Sequence, residues 1–149
     1  MANVIYTRFF EQISNGSLAF NTANIACLLT QSSSTYAANK THDFVADVFS
    51  NGGVECNTGG YARTAVANKT VTIDDPNSRV ELKFNNVSFG NLSSGQTVEA
   101  IIVYVNTGSD ATSSLICHID NATGLPAVLG GGEFLITVNA EGLIQLAQA

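Results

Sequence analysis

The chain has 149 residues, the length of one ordinary domain (1–149), and hydrophobic residues make up 45% of it against 12% charged. The net charge is −6, and Arg8, Lys40, Arg63, Lys69, Arg79 and Lys83 are scattered singly, so no basic stripe invites nucleic acid. No apolar run approaches the roughly 20 residues needed to cross a bilayer, which argues against a membrane partner.

Along the chain, Tyr6, Phe9, Phe10 and Ile13 recur at helical spacing and predict an amphipathic helix near residues 5 to 14, ended by Asn15-Gly16. Before it, MANVIYTRFF carries no basic segment followed by a long apolar stretch, so folding in a cytosol is expected. Asn24 to Thr30 (NIACLLT) is a continuous apolar run of strand length. The small polar residues of Gln31 to Lys40 then predict a mobile surface loop. A second helix is expected near residues 42 to 50, with Thr41 as N-cap and Asp43 in the first turn. Its buried face would be Phe44, Val45, Val48 and Phe49, and Asn51-Gly52-Gly53 its stop.

From Val54 onward the period falls to two. In VELKF, Val80, Leu82 and Phe84 alternate with Glu81 and Lys83, which predicts a strand with one wet face. By contrast VEAIIVYV (Val98 to Val105) is apolar on both faces and should be central, covered by a helix or by a neighbouring subunit. The last two strands, EFLITV and LIQL, flank Asn139-Ala140-Glu141-Gly142 and predict a closing hairpin. Many short strands with close turn signals make the fold mainly β, an antiparallel β-sandwich or partly open barrel with two short helices.

Chemistry-bearing constellations are sparse. Cys27, Cys56 and Cys117 are odd in number, and Cys27 and Cys117 lie in apolar strands, which predicts buried free thiols. His118 and Asp120 fall on one strand face with Cys117 on the other, so a surface His beside an Asp is expected and no Cys–His couple. Asp74-Asp75 before Pro76 reads as a turn, since alternating calcium ligands are missing. Gly130-Gly131-Gly132 precedes a strand where a phosphate cradle needs a helix. No residue is assigned as catalytic, cofactor-binding or metal-ligating, and no enzyme activity or cofactor is expected.

Several segments together carry a resemblance. These are the Tyr/Phe-rich first helix, NIACLLT, THDFVADV, the turn Gly59-Gly60-Tyr61, and then TVTIDD, VSFGNL, VEAIIVYV, LICHID and GEFLITVNAEGLIQL. In this order, over residues 4 to 146, the chain resembles small virion structural proteins of tailed bacteriophages. It departs from that pattern in having no Trp in Val87 to Leu92, and Ala62-Arg63 where further Gly is usual. The resemblance implies a non-enzymatic virion protein assembled in the host cytoplasm. Capsid decoration is its first implication: a cement protein binding the major capsid protein and bridging capsid subunits. It assigns Gly59, Gly60, Tyr61 and Gly142 structural roles, and it favours a trimer at three-fold lattice positions.

A homo-oligomer is also expected from the low charge and the two-sided VEAIIVYV strand. The segment Ala2 to Tyr6 and the loop Gln31 to Lys40 are the expected contacts with the partner. A tail, neck or baseplate component is the neighbouring reading. A carbohydrate-binding module is the alternative of a different class, and it would have to build its sugar platform without Trp.

Overall fold

The computed structural model describes residues 3–147. It is mainly β, with 37% of residues in strands and 12% in helices, and its antiparallel sheets form a sandwich-like fold that does not close into a barrel. The strands are β1 (Val4–Ile5), β2 (Ile25–Gln31), β3 (Thr64–Ala65), β4 (Thr70–Asp74), β5 (Arg79–Lys83), β6 (Val87–Asn91), β7 (Thr97–Val105), β8 (Leu115–Ile119), β9 (Ala127–Val128), β10 (Glu133–Ile136) and β11 (Ile144–Ala147). Two helices, α1 (Thr7–Ser14) and α2 (Val45–Ser50), complete the fold.

The largest sheet runs β1-β8-β7-β2-β3, with β9 added beside the start of β7. Strand β7 lies in its middle and is buried along most of its length, as its two apolar faces require. Alternation sorts the sheet's side chains into two cores. Ile25, Cys27, Leu29, Ile101 and Val103 face the larger core, closed by Phe9, Phe20, Leu82, Phe84, Phe89 and Ile144. Ala26, Leu28, Ile102 and Tyr104 face the smaller one, closed by Tyr6, Tyr36, Val45 and Val48. The cover of β7 is therefore supplied by α2 on one side and by the remaining sheets on the other. It needs no second subunit.

Two smaller sheets, β10-β6 and β11-β5-β4, stand across the larger core. The closing hairpin predicted for the last strands is corrected here. The turn is real, with the Gly142 N–H donating to the Asn139 carbonyl at 2.9 Å and Gly142 at φ +101°. Yet β10 pairs with β6, and β11 pairs with β5. The turn carries the chain from one sheet to another because Val87 and Leu82 offer buried apolar partners to Ile136 and Ile144.

Both helices start later than predicted. Val4 and Ile5 pair with His118 and Cys117 on β8, so α1 begins only after Tyr6. Tyr6 enters the smaller core and Phe9 the larger, while Phe10 stays 40% exposed. The helix sits at the sheet's rim, where adjacent positions about 100° apart cannot both face inward. Thr41 does not cap α2. Its N–H and hydroxyl donate to Asn39 Oδ1, whereas the Asp47 carboxylate accepts the N–H groups of Asp43 and Phe44, each at 2.9 Å. The Val45 and Ala46 N–H groups go to the carbonyls of Ser113 and Asp110. The helix thus begins where the loop before β8 can accept its first donors.

Candidate interaction surface

The sheet β11-β5-β4 overhangs the body. Val80 and Leu82 of β5, Ile144 and Leu146 of β11, and Val71 and Ile73 of β4 lie on one face, because Val71 pairs with Leu82, Ile73 with Val80, and Leu146 with Val80. This underside is covered only at the Leu82–Ile144 end. Val71 is 51% and Ile73 71% exposed. Between the underside and the segment after α1 lies a mostly apolar groove of about 250 Å³, lined by Ile13, Leu18, Phe20, Val71, Val80 and Leu146 among others. Exposed apolar side chains scattered singly are ordinary, whereas here Val71 and Ile73 lie on one face with an apolar groove beside them.

The opposite face of the same sheet is polar but not wet throughout, which corrects the reading of Glu81. That carboxylate is buried, at 6% exposure, between Arg79 at 2.8 Å and Lys83 at 2.6 Å. Arg79 also donates to Asp74 Oδ2 at 2.8 Å. Long basic stems lying along the sheet cover Glu81, and its charge is matched on both sides. Asp74-Asp75-Pro76 forms the predicted turn, with Ser78 in the left-handed region at φ +52°.

The Gly59-Gly60-Tyr61 turn is structural. Gly60 has φ +87° and lies so close to the Asn91 carbonyl that a Cβ has no room. Tyr61 stacks on Phe89, with ring centroids 5.9 Å apart, and its hydroxyl accepts the Leu29 N–H while donating to Glu55 at 2.7 Å. Burial holds this phenol well above its ordinary pKa, so it remains a neutral donor. Arg63 then forks onto both Glu55 oxygens and reaches Asp110, with Phe49 and Tyr104 rings beneath its guanidinium. The network ties the Gly-Tyr turn to the loop before β8. Asp110 lies too far from Arg63 in the chain for spacing to have shown the link.

The reading of His118 is corrected as well. The side chain is 3% exposed, not on the surface, because the loop predicted to be mobile folds over it. Tyr36 from that loop is buried, packs its ring 5.7 Å from His118, and places its hydroxyl 3.0 Å from the Tyr6 hydroxyl and 2.9 Å from His42 Nδ1. Thr30, Ser34, Tyr36, Glu99, His118 and Asp120 line a cavity of about 50 Å³. Among the described residues, His118 Nδ1 and Asp120 Oδ1 are buried without a hydrogen-bond partner. Burial pushes the His118 pKa down, partly opposed by Asp120. Cys117 points into the larger core, as alternation predicts.

All three cysteines are buried and free. Burial raises Cys27 to about 12 and Cys56 to about 11, so the thiols stay protonated. Among the described residues no three His, Cys, Asp or Glu side chains cluster as metal ligands, and no helix is long and apolar enough to cross a membrane. Of the expected contact segments, Ala2 lies outside the described residues, Val4–Ile5 are paired in the sheet, and Tyr36 anchors the loop. Tyr6, Tyr36 and Tyr104 are buried and Tyr61 is half-buried, so no tyrosine offers a free platform for a sugar ring.

No protein-family model, curated protein or solved structure matches the chain.

Proposed function

We propose that this chain is a non-enzymatic structural protein of a tailed-phage particle. In this reading it decorates the capsid, binding its outer surface and bridging neighbouring copies of the major capsid protein. The observation that carries the reading is the uncovered underside of β11-β5-β4, where Val71 at 51% exposure lines an apolar groove and Ile73 at 71% lies beside it on the same face. A protein that works by lying on another protein needs such a surface on a rigid frame, and the element order that resembles phage virion proteins supplies the context. The resemblance also favours attachment as a trimer.

Docking of this kind stabilises without catalysis. A ligand that binds only the assembled lattice favours it by mass action, by about 2.7 kcal/mol per site at a hundredfold excess over the dissociation constant. The test compares particles with and without the protein, heated or moved to low salt. Decorated particles should retain their genome to the higher temperature. Equal release temperatures, with labelled protein on the tail, would replace decoration by a tail, neck or baseplate role, and a hit on a glycan array would favour the carbohydrate-binding alternative.

A further inference from the structure

We propose that β4 is a self-pairing edge: two copies of the chain join antiparallel through Thr70–Asp74 about a two-fold axis at Thr72. The inference concerns the edge of the sheet, although Val71 and Ile73 also carry the virion reading, and its two-fold pair stands against the trimer that the resemblance favours.

Strand β4 hydrogen-bonds to β5 on one side and ends the sheet on the other. Thr70 to Ile73 are exposed, so one row of backbone donors and acceptors faces outward over the length of the strand. Edges of this kind accept an added strand, and main-chain hydrogen bonds then supply affinity while side chains select the partner.

The side chains select a second copy. Antiparallel pairing about Thr72 sets Val71 opposite Ile73 of the second copy and Thr70 opposite Asp74, and it brings Lys69, just before the strand, to the end where Asp75 of the second copy opens its 3₁₀ turn. Apolar meets apolar, hydroxyl meets carboxylate and cation meets anion. Because a two-fold axis normal to the sheet keeps both undersides on one side, opposed residues must share a face, and the axis must fall on a residue. Moving it to Val71 or to Ile73 leaves two of the five residues of Thr70–Asp74 without an opposite. Only Thr72 pairs the strand over its whole length. Among the described residues neither Lys69 nor Asp75 makes an ion pair, whereas Asp74, Arg79, Glu81 and Lys83 all do. These two unpaired charges lie just past the two ends of the strand, so pairing gives an apolar centre and brings opposite charges together at each end. The joined sheet has six strands, and Val71 and Ile73 of both copies form one apolar strip beneath it.

The experiment is sedimentation of the full chain across a concentration series, with a charge-swap cycle. The wild-type chain should form a dimer. Lys69→Asp faces Asp75 with a like charge, and Asp75→Lys does the same to Lys69; each should weaken dimerisation by about tenfold. The double swap Lys69→Asp/Asp75→Lys should return it to within a few-fold of wild type. Because Cys27, Cys56 and Cys117 are buried, Thr72→Cys adds the accessible thiol of the fold. Across an antiparallel pair its two copies lie within disulfide reach, about 4.5–5.5 Å between Cα atoms. Mild oxidation should cross-link Thr72→Cys but not Thr70→Cys, whose two copies lie well apart along the strands. A monomer at every concentration, or an oligomer indifferent to the charge swaps and not cross-linked at Thr72→Cys, would overturn the proposal. A monomer that still binds particles would overturn the pairing alone and leave the virion reading intact.

Discussion

Val71 and Leu82 stand directly opposite one another on paired strands and point to the same face, yet Leu82 is 2% exposed and Val71 is 51% exposed. One strand's width separates the sealed core from an open apolar surface. The sealed core ends beneath β5, and β4 extends beyond it with the same alternation over an open groove.

The contrast has a measurable consequence. Leu82→Ala should cost about 2–5 kcal/mol, the usual range for truncating a buried leucine, whereas Ile73→Thr on the overhang should change stability by no more than about 0.5 kcal/mol. Urea denaturation of the two variants checks this. A large loss from Ile73→Thr would mean that the underside is closed within the chain.

Arg63 supports the Gly-Tyr turn through charge-assisted bonds to Glu55 and Asp110. Arg63→Ala should destabilise the fold by about 1–3 kcal/mol, because it removes the charged donor of Glu55 and Asp110 and leaves Glu55 only the Tyr61 hydroxyl. Arg63→Lys should recover only part of the loss, since an ammonium group cannot fork onto both Glu55 oxygens. Equal stability of Arg63→Lys and wild type in denaturant titrations would show that charge alone matters there.

His118 predicts acid sensitivity of defined sign. Burial lowers its pKa in the folded chain below the ordinary 6.5, while in the unfolded chain it titrates near 6.5. Above pH 6.5 both states are neutral at this residue and it adds no pH dependence. As the pH falls below 6.5 the unfolded chain takes up a proton that the folded chain refuses, so stability declines until the lowered folded pKa is reached. Tyr36, Glu99 and Asp120 share its cavity, and His42 lies beyond Tyr36, so His118→Gln isolates the contribution. Thermal melts between pH 7 and pH 5 should show a shallower decline for His118→Gln than for wild type, and identical slopes would contradict the assignment.

Much of the architecture was legible where periodicity acts alone. Asn24 to Thr30 and Val98 to Val105 announced β2 and β7, because a run apolar on both faces has nowhere to lie except the centre of a covered sheet. The predictions failed where distant residues decide. The turn at Gly142 was readable, but β10 and β11 part there, β10 pairing with Val87 and Ser88 of β6 and β11 with Leu82 of β5, partners far off in the chain. Thr41 has good capping chemistry locally and lost to Asp47, while the N–H groups of Val45 and Ala46 go to the loop before β8. Glu81 and His118 alternated as surface residues do, and became buried through Arg79, Lys83 and Tyr36 lying over them. The open underside was not legible at all, since alternation tells which side chains share a face and not whether that face is covered.

Imaging the assembled particle, with the protein carrying a label, tests the proposed role most directly. The account predicts label on the outer surface of the capsid shell, over contacts between neighbouring capsid subunits, with the underside of β11-β5-β4 turned toward the shell. Label confined to the tail, neck or baseplate, or absent from purified particles, would contradict it.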